Sequence, residues 1–222
     1  AMAGTRLQIL LTLQSSGRET VESLAHSLKL APATIRRHMD ILQRDHLISF
    51  QEVKRPTGRP EYSFFLTEAG HESLPKNYGR LLDSLFQETT SLEKKDIEGK
   101  DGKGLTEVLL SRMAHRIADQ AGVSQDDDLS QRATILASLL EEQQFSPRVE
   151  EKGGKVRIEL FNCPFRSVAL EHESICAFDS HLISRVLGTP VSLEKCVAWG
   201  DSTCFYVTSK PKTSSKVAAA AS

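Results

Sequence analysis

Apolar positions recur at helical spacing from the start of the chain. Leu7, Leu10, Leu11 and Leu13 predict a helix over residues 5–13, and Gly17 ends it. Val21, Leu24, Ala25 and Leu28 make the apolar face of a second helix, which Thr20 can cap. A tight turn at Lys29–Ala31 leads to Pro32. Proline suits the first position of a helix, where its missing N–H has no bond to make. In that third helix Ile35, Met39 and Leu42 face inward, leaving Thr34, Arg36, Arg37, Asp40 and Arg44 outside. Two short helices, a three-residue turn and a basic outer face read as a helix-turn-helix.

The apolar period then changes to two. LISFQEVK and YSFFL read as strands around KRPTGRP, residues 54–60, which holds Lys54, Arg55 and Arg59 with no acid. A basic hairpin directly after a candidate recognition helix predicts a winged helix. Arg36 and Arg37 alone would fit an ordinary solvated face equally well; the hairpin decides between the two. The helix would enter the major groove of double-stranded DNA, and the tip would meet phosphates or the minor groove.

TEAGHESLPKNYGRLLDSLFQETT predicts a short helix, a break at Pro75 and a longer helix. That helix carries Tyr78, Leu81, Leu82 and Leu85 on one face, continued by Leu92, with Phe86 beside it. Such a stripe packs against a core or a partner chain, and two-fold operators call for a homodimer. KKDIEGKDGKG, residues 94–104, reads as a loop and boundary. Helices are expected over Leu105–Ala121 and Leu129–Gln144. The acids at 126–128 suit a helix start better than a metal site.

From Pro147 the pattern becomes mixed. Val156, Ile158 and Leu160 alternate in a strand running toward Cys163. Helices come next over Val168–His172 and Ile175–Leu187, the latter beginning near Cys176 and stopped by Gly188 and Pro190. VSLEKCVAW reads as a strand carrying Cys196, and CFYVTS as a final strand starting at Cys204. The fold class expected is α+β. It comprises a winged helix over 1–76, a helical connector and dimerisation region over 77–146, a small cysteine-bearing α+β domain over 147–210 and a tail over 211–222.

Composition sharpens this only in places. Apolar residues make up 39% of 222, enough for a real core, and the net charge of −1 means that any basic surface is local. No run is apolar and long enough to span a bilayer, and the opening stretch is too polar for a secretory leader, so the expectation is cytoplasmic. In a reducing compartment clustered cysteines are metal ligands or redox groups more often than disulfides. All four lie in the last third, at 163, 176, 196 and 204. No CxxC pair exists, which disfavours a zinc knuckle, whereas widely spaced thiolates can hold an iron–sulfur cluster. A four-thiolate site competes with plain burial of small apolar thiols, for which Cys196 is the best candidate. No GxGxxG, P-loop or HExxH motif is present, and no enzyme is expected.

LAPATIRRHMDILQRDHLISF with KRPTGRPEYSFFLTEAG, and NCPFRSVALEHESIC with CVAWGDSTCFYV, together resemble the SufR-type iron–sulfur-dependent repressors of cluster-assembly genes. The resemblance spans nearly the whole chain, and its GRPEYSFFLTEAG segment is the more specific part. It implies a dimeric winged-helix regulator with a cluster, [4Fe–4S] favoured over [2Fe–2S], held by cysteines. Cys163, Cys176 and Cys204 match the pattern. The family's third cysteine falls near Gly188 to Pro190, where this chain has none, so Cys196 stands in; His172 is a further candidate. The rivals are a zinc-binding domain, an oxidation sensor working through a disulfide, and a small-ligand sensor lined by Phe161, Phe165, Phe178, Trp199 and Tyr206.

Overall fold

A computed structural model describes residues 4–53 and 61–208. Helices α1 (Thr5–Ser16), α2 (Val21–Leu28) and α3 (Pro32–Arg44) precede the antiparallel strands β1 (Ile48–Val53) and β2 (Glu61–Leu66). The local signals act as the sequence predicts. Thr20 accepts a hydrogen bond from the Ser23 amide, Lys29 takes the left-handed conformation after α2, and Pro32 opens α3. Ile9, Leu10, Leu13, Leu24, Ile35, Met39, Leu42, Ile48 and Leu66 close one core. Glu19 bridges to Phe64 and ties the α1–α2 connection to the sheet. This is the winged helix-turn-helix.

Helix α4 (Glu68–Glu72) sits directly on this core. Thr67 caps it, accepting from the Gly70 amide and donating to the His46 carbonyl at 2.6 Å. A Cβ on Gly70 would lie 2.0 Å from the Leu47 carbonyl oxygen, so only glycine permits this approach.

After Pro75 come α5 (Tyr78–Thr90), α6 (Lys94–Ile97), α7 (Gly102–Asp119) and α8 (Leu129–Glu142). Residues 94–104 are therefore not wholly a loop. A reciprocal cap between Glu93 and Asp96 nucleates α6, and Asp101 caps α7. Asp128, last of the acidic run, caps α8 with Gln131. On α5, Leu81 is buried and Tyr78 and Leu85 pack against the core. Leu82 and Phe86, expected with them, are 56% and 63% exposed.

The last third is an antiparallel sheet in the order β3-β4-β6-β5, covered by helices. Its strands are β3 (Pro147–Lys152), β4 (Lys155–Leu160), β5 (Val191–Lys195) and β6 (Cys204–Thr208). Helices α9 (Arg166–Glu171) and α10 (Cys176–Leu187) lie between β4 and β5. Strand β3 has no counterpart in the apolar pattern, although Gly153 and Gly154, both at positive φ, are a hairpin signal. Helix α10 packs on α7 and α8, and all three share one core with the sheet. No helix among the described residues is long and apolar enough to cross a membrane.

Candidate DNA interface and thiol pocket

The outer face of α3 presents Thr34, Arg36, Arg37 and Arg44, all exposed. A groove of about 850 Å³ runs between this helix and the wing, lined in part by Glu22, Arg36, Asp40, Gln43, Phe50 and Tyr62. Arg36 Nη2 meets Glu22 Oε1 at 2.8 Å, a partner on α2 that the helical pattern alone does not reveal. Both side chains are more than half exposed, so the pair costs little to open. The wing leads outward through Phe50 and Tyr62, whose rings stand edge to face at 5.0 Å. Lys54, Arg55 and Arg59 of the expected basic tip lie outside the described residues.

Antiparallel pairing explains how distant cysteines meet. Leu160, the last residue of β4, pairs with Cys204, the first of β6, while Lys195 at the end of β5 pairs with Phe205. One end of the sheet thus collects the exits of β4 and β5 and the entry of β6. Cys196 lies just past β5 rather than inside it: the strand stops at Lys195, and a 3₁₀ turn over Val197–Trp199 comes next. The Cys196 amide donates to Asp201 Oδ2 at 2.9 Å, which fixes the bend. Cys176 enters from the first turn of α10.

All four thiols are free and buried, Cys196 completely. Cys176 Sγ and Cys196 Sγ are 3.6 Å apart, Cys196 Sγ and Cys204 Sγ 4.0 Å, and the Val197 amide points to Cys204 Sγ at 3.5 Å. Three sulfurs therefore converge. Cys163 stands apart from that trio on the loop after β4, in the same hydrophobic core, where the Phe165 amide donates to its sulfur. Among the described residues no three His, Cys, Asp or Glu side chains form a ready-made metal centre. The donor chemistry nevertheless fits a soft metal: thiols only, buried in apolar surroundings.

The electrostatics assign unequal roles. Hydrogen bonds shared with Cys176 and Cys204 hold the Cys196 thiol below the ordinary thiol range. The same bonds, then burial, push Cys176 and Cys204 up. Burial pushes Cys163 up to about 12. Asp179, on α10, is fully buried, and burial raises its carboxyl to about 8; the Tyr206 hydroxyl donates to it at 3.4 Å. Its field also reaches Cys163, Cys176 and Cys204. Nothing in the sequence pattern marks Asp179 beyond its place one turn after Cys176.

His172 is exposed at the end of α9. The aromatic residues of the small-ligand alternative do not converge on one pocket. Phe165 and Phe178 pack edge to face at 5.9 Å and Tyr206 is core, whereas Trp199 is half exposed, donating to Glu173 Oε1 at 2.6 Å.

Residues 2–49 match the family described as winged helix-turn-helix DNA-binding. A similar solved structure is that of Bacillus subtilis PadR in complex with operator DNA. It shares 16% identity at a TM-score of 0.29 and covers 63% of this chain and 90% of that one, too loose a superposition to carry anything across. No curated protein matches the chain. Helix arrangement, wing and family match agree on the class of the N-terminal part: a winged helix-turn-helix of the DNA-binding kind.

Proposed function

We propose that the protein is a homodimeric repressor whose operator affinity is set by an iron–sulfur cluster held by Cys163, Cys176, Cys196 and Cys204. The reading head is 1–76, the connector 77–146 and the sensor 147–210. The observation that carries this reading is the meeting of Cys176, Cys196 and Cys204 at one sheet end, with Cys163 buried on the adjoining loop. When bound, the cluster supplies a centre responsive to oxygen and redox state. The chain's part is to bring the thiols together, exclude water through Phe165, Phe178 and Val197, and give up their protons on binding. Thr34, Arg36, Arg37 and Arg44 of α3 face base edges and phosphates, joined by Lys54, Arg55 and Arg59.

A second reading has a specific observation in its favour. The separations of 3.6 and 4.0 Å are those of a thiolate zinc site, where a Zn–S bond of about 2.3 Å sets sulfurs about 3.8 Å apart. They also leave Cys176 and Cys196 poised to form a disulfide with peroxide as oxidant, two thiols giving their hydrogens to make two waters.

One experiment separates the readings: the visible spectrum of anaerobically purified protein with iron, sulfide and zinc counts. The expected result is a coloured protein containing iron and sulfide, and a Cys163→Ala variant that loses the colour but still binds DNA. A colourless wild type carrying one zinc per chain would replace the cluster by zinc. A metal-free chain whose mobility on non-reducing gels shifts with peroxide would establish the disulfide sensor instead.

A further inference from the structure

The loop that carries Cys163 does more than bury a thiol. Nearly every residue around it bonds to the passage between winged helix and sensor. Asn162 Nδ2 donates to the Pro75 carbonyl at 3.1 Å and to that of Gln144 at 2.6 Å, and Lys76 Nζ donates to Asn162 Oδ1 at 3.1 Å. The Asn77 amide donates to the Pro164 carbonyl at 3.1 Å. Arg166, buried, forms a two-pronged pair with Glu68 of α4 at 2.8 and 2.7 Å. The Ser167 amide donates to the Tyr78 hydroxyl at 3.1 Å, and that hydroxyl donates to Glu72.

These bonds tie residues 68–78, where the winged helix passes into the connector, to the six residues 162–167. That segment carries Cys163, which is buried in the core it shares with the other three thiols, and runs into α9, which packs against the Val197–Trp199 turn just after Cys196. A bidentate guanidinium–carboxylate pair fixes angle as well as distance, and Asn162 gives one amide bond and its oxygen to the joint while its other amide bond holds the Gln144 carbonyl.

We infer that Asn162–Ser167 is the clamp through which the state of the thiol pocket sets the position of the winged helix. The inference rests on the proposed sensor function but goes beyond it, naming the connection by which sensor and reading head communicate. Occupation or oxidation at Cys163 cannot move this loop without moving Glu68, Pro75, Asn77 or Tyr78, and the recognition helix moves with them. Glu68, Tyr78 and Arg166 are positioning residues; none is required to touch metal or DNA.

The test uses the full chain and two mild variants, Glu68→Gln and Tyr78→Phe, with Arg185→Ala, which removes an exposed ion pair to Asp119, as control. Two quantities are read. The first is hydrogen exchange of the amides of 75–81 in metal-free protein. The second is the ratio of Kd values for loaded and metal-free protein on a duplex selected from a random pool by the wild type. Faster exchange in both variants but not in the control is expected. The Kd ratio, expected in the roughly 5- to 150-fold range typical of coupled sites for the wild type, should fall toward one in the variants while colour and iron content stay unchanged. Unchanged exchange, or faster exchange with the full ratio retained, overturns the clamp. A wild type with no ratio at all overturns the cluster reading instead, and the exchange data alone then decide the clamp.

Discussion

Arg36, proposed to read a base edge, is not free. Its guanidinium is held by Glu22 at 2.8 Å beside the groove between α3 and the wing. Reaching a base edge means leaving that carboxylate, and an exposed pair of this kind is worth up to about 1 kcal/mol. Glu22→Gln should therefore tighten binding to a selected duplex two- to fivefold. Arg36→Ala should weaken it by about 1–3 kcal/mol and relax discrimination at one position, the loss expected of a base-edge contact. Gel-shift titrations on matched and mismatched duplexes check both; a Glu22→Gln variant that binds more weakly would show that the carboxylate positions Arg36 rather than restrains it. At this scale the sequence is legible wherever a residue acts through its neighbours in the chain. Thr20, Pro32 and Asp128 cap or open helices through contacts with the next few residues of the chain. Glu22, Arg166 and Asp179 act through partners 14 to 98 positions away, and no local pattern encodes such distances.

Among the elements, α5 departs most from its sequence pattern. The spacing predicts one apolar stripe, but the core takes Leu81 and packs Tyr78 and Leu85, leaving Leu82 and Phe86 one turn apart in the open. The inner face is instead fixed by charge: Glu88 is buried and receives Arg112 at 3.0 Å and Arg116 at 2.8 Å, both from α7. A helix held on one side by a buried carboxylate between two arginines is rigid, and the apolar pair on its other side suits a two-fold contact, where each residue meets its counterpart across the axis. In the proposed homodimer, Leu82→Glu with Phe86→Glu should convert dimer to monomer in light scattering after size exclusion, with the thermal midpoint nearly unchanged because neither side chain is in the core. A double variant that stays dimeric would move the interface elsewhere. The strands show the same division. β4 and β6 alternate clearly and are legible in the sequence, whereas β3, PRVEEK, exposes four of its six residues and buries none fully, and its pairing with β4 defines it. Cys196 falls just outside its expected strand because the alternation of VSLEKCVAW runs on past Lys195, while the Asp201 side chain captures the next amide and turns the chain.

For the molecule as a whole, the junction between the two cores is where acidity should be felt first. His71 lies at this joint, and burial, then the Arg166 charge, lower its pKa from 6.5 to about 4. Its folded form thus binds a proton less readily than the unfolded chain. The associated stability is fully present above pH 6.5 and is lost as pH falls toward 4. Glu68 shifts the same way: the hydrogen bonds from Arg166 hold its carboxyl below the ordinary value of 4.5, so its contribution too is present at neutral pH and lost in acid. Integrating the histidine shift gives a loss of about 1–2 kcal/mol between about pH 7.5 and about pH 5, with partial solvent screening allowed for. Calorimetry of wild type and His71→Asn at the two pH values tests this. The wild-type midpoint should drop on acidification and the variant's should drop less, since asparagine takes up no proton. The hydrogen-exchange change should begin in residues 68–81 rather than in either core. Equal acid losses in both proteins would mean that the sensitivity lies elsewhere and that the joint is no weaker than the bodies it connects. Acid sensitivity here arises from the same layout that makes the joint useful: a short run of charged and amide contacts, set between two apolar cores, can be altered by a proton or a ligand while leaving each core intact.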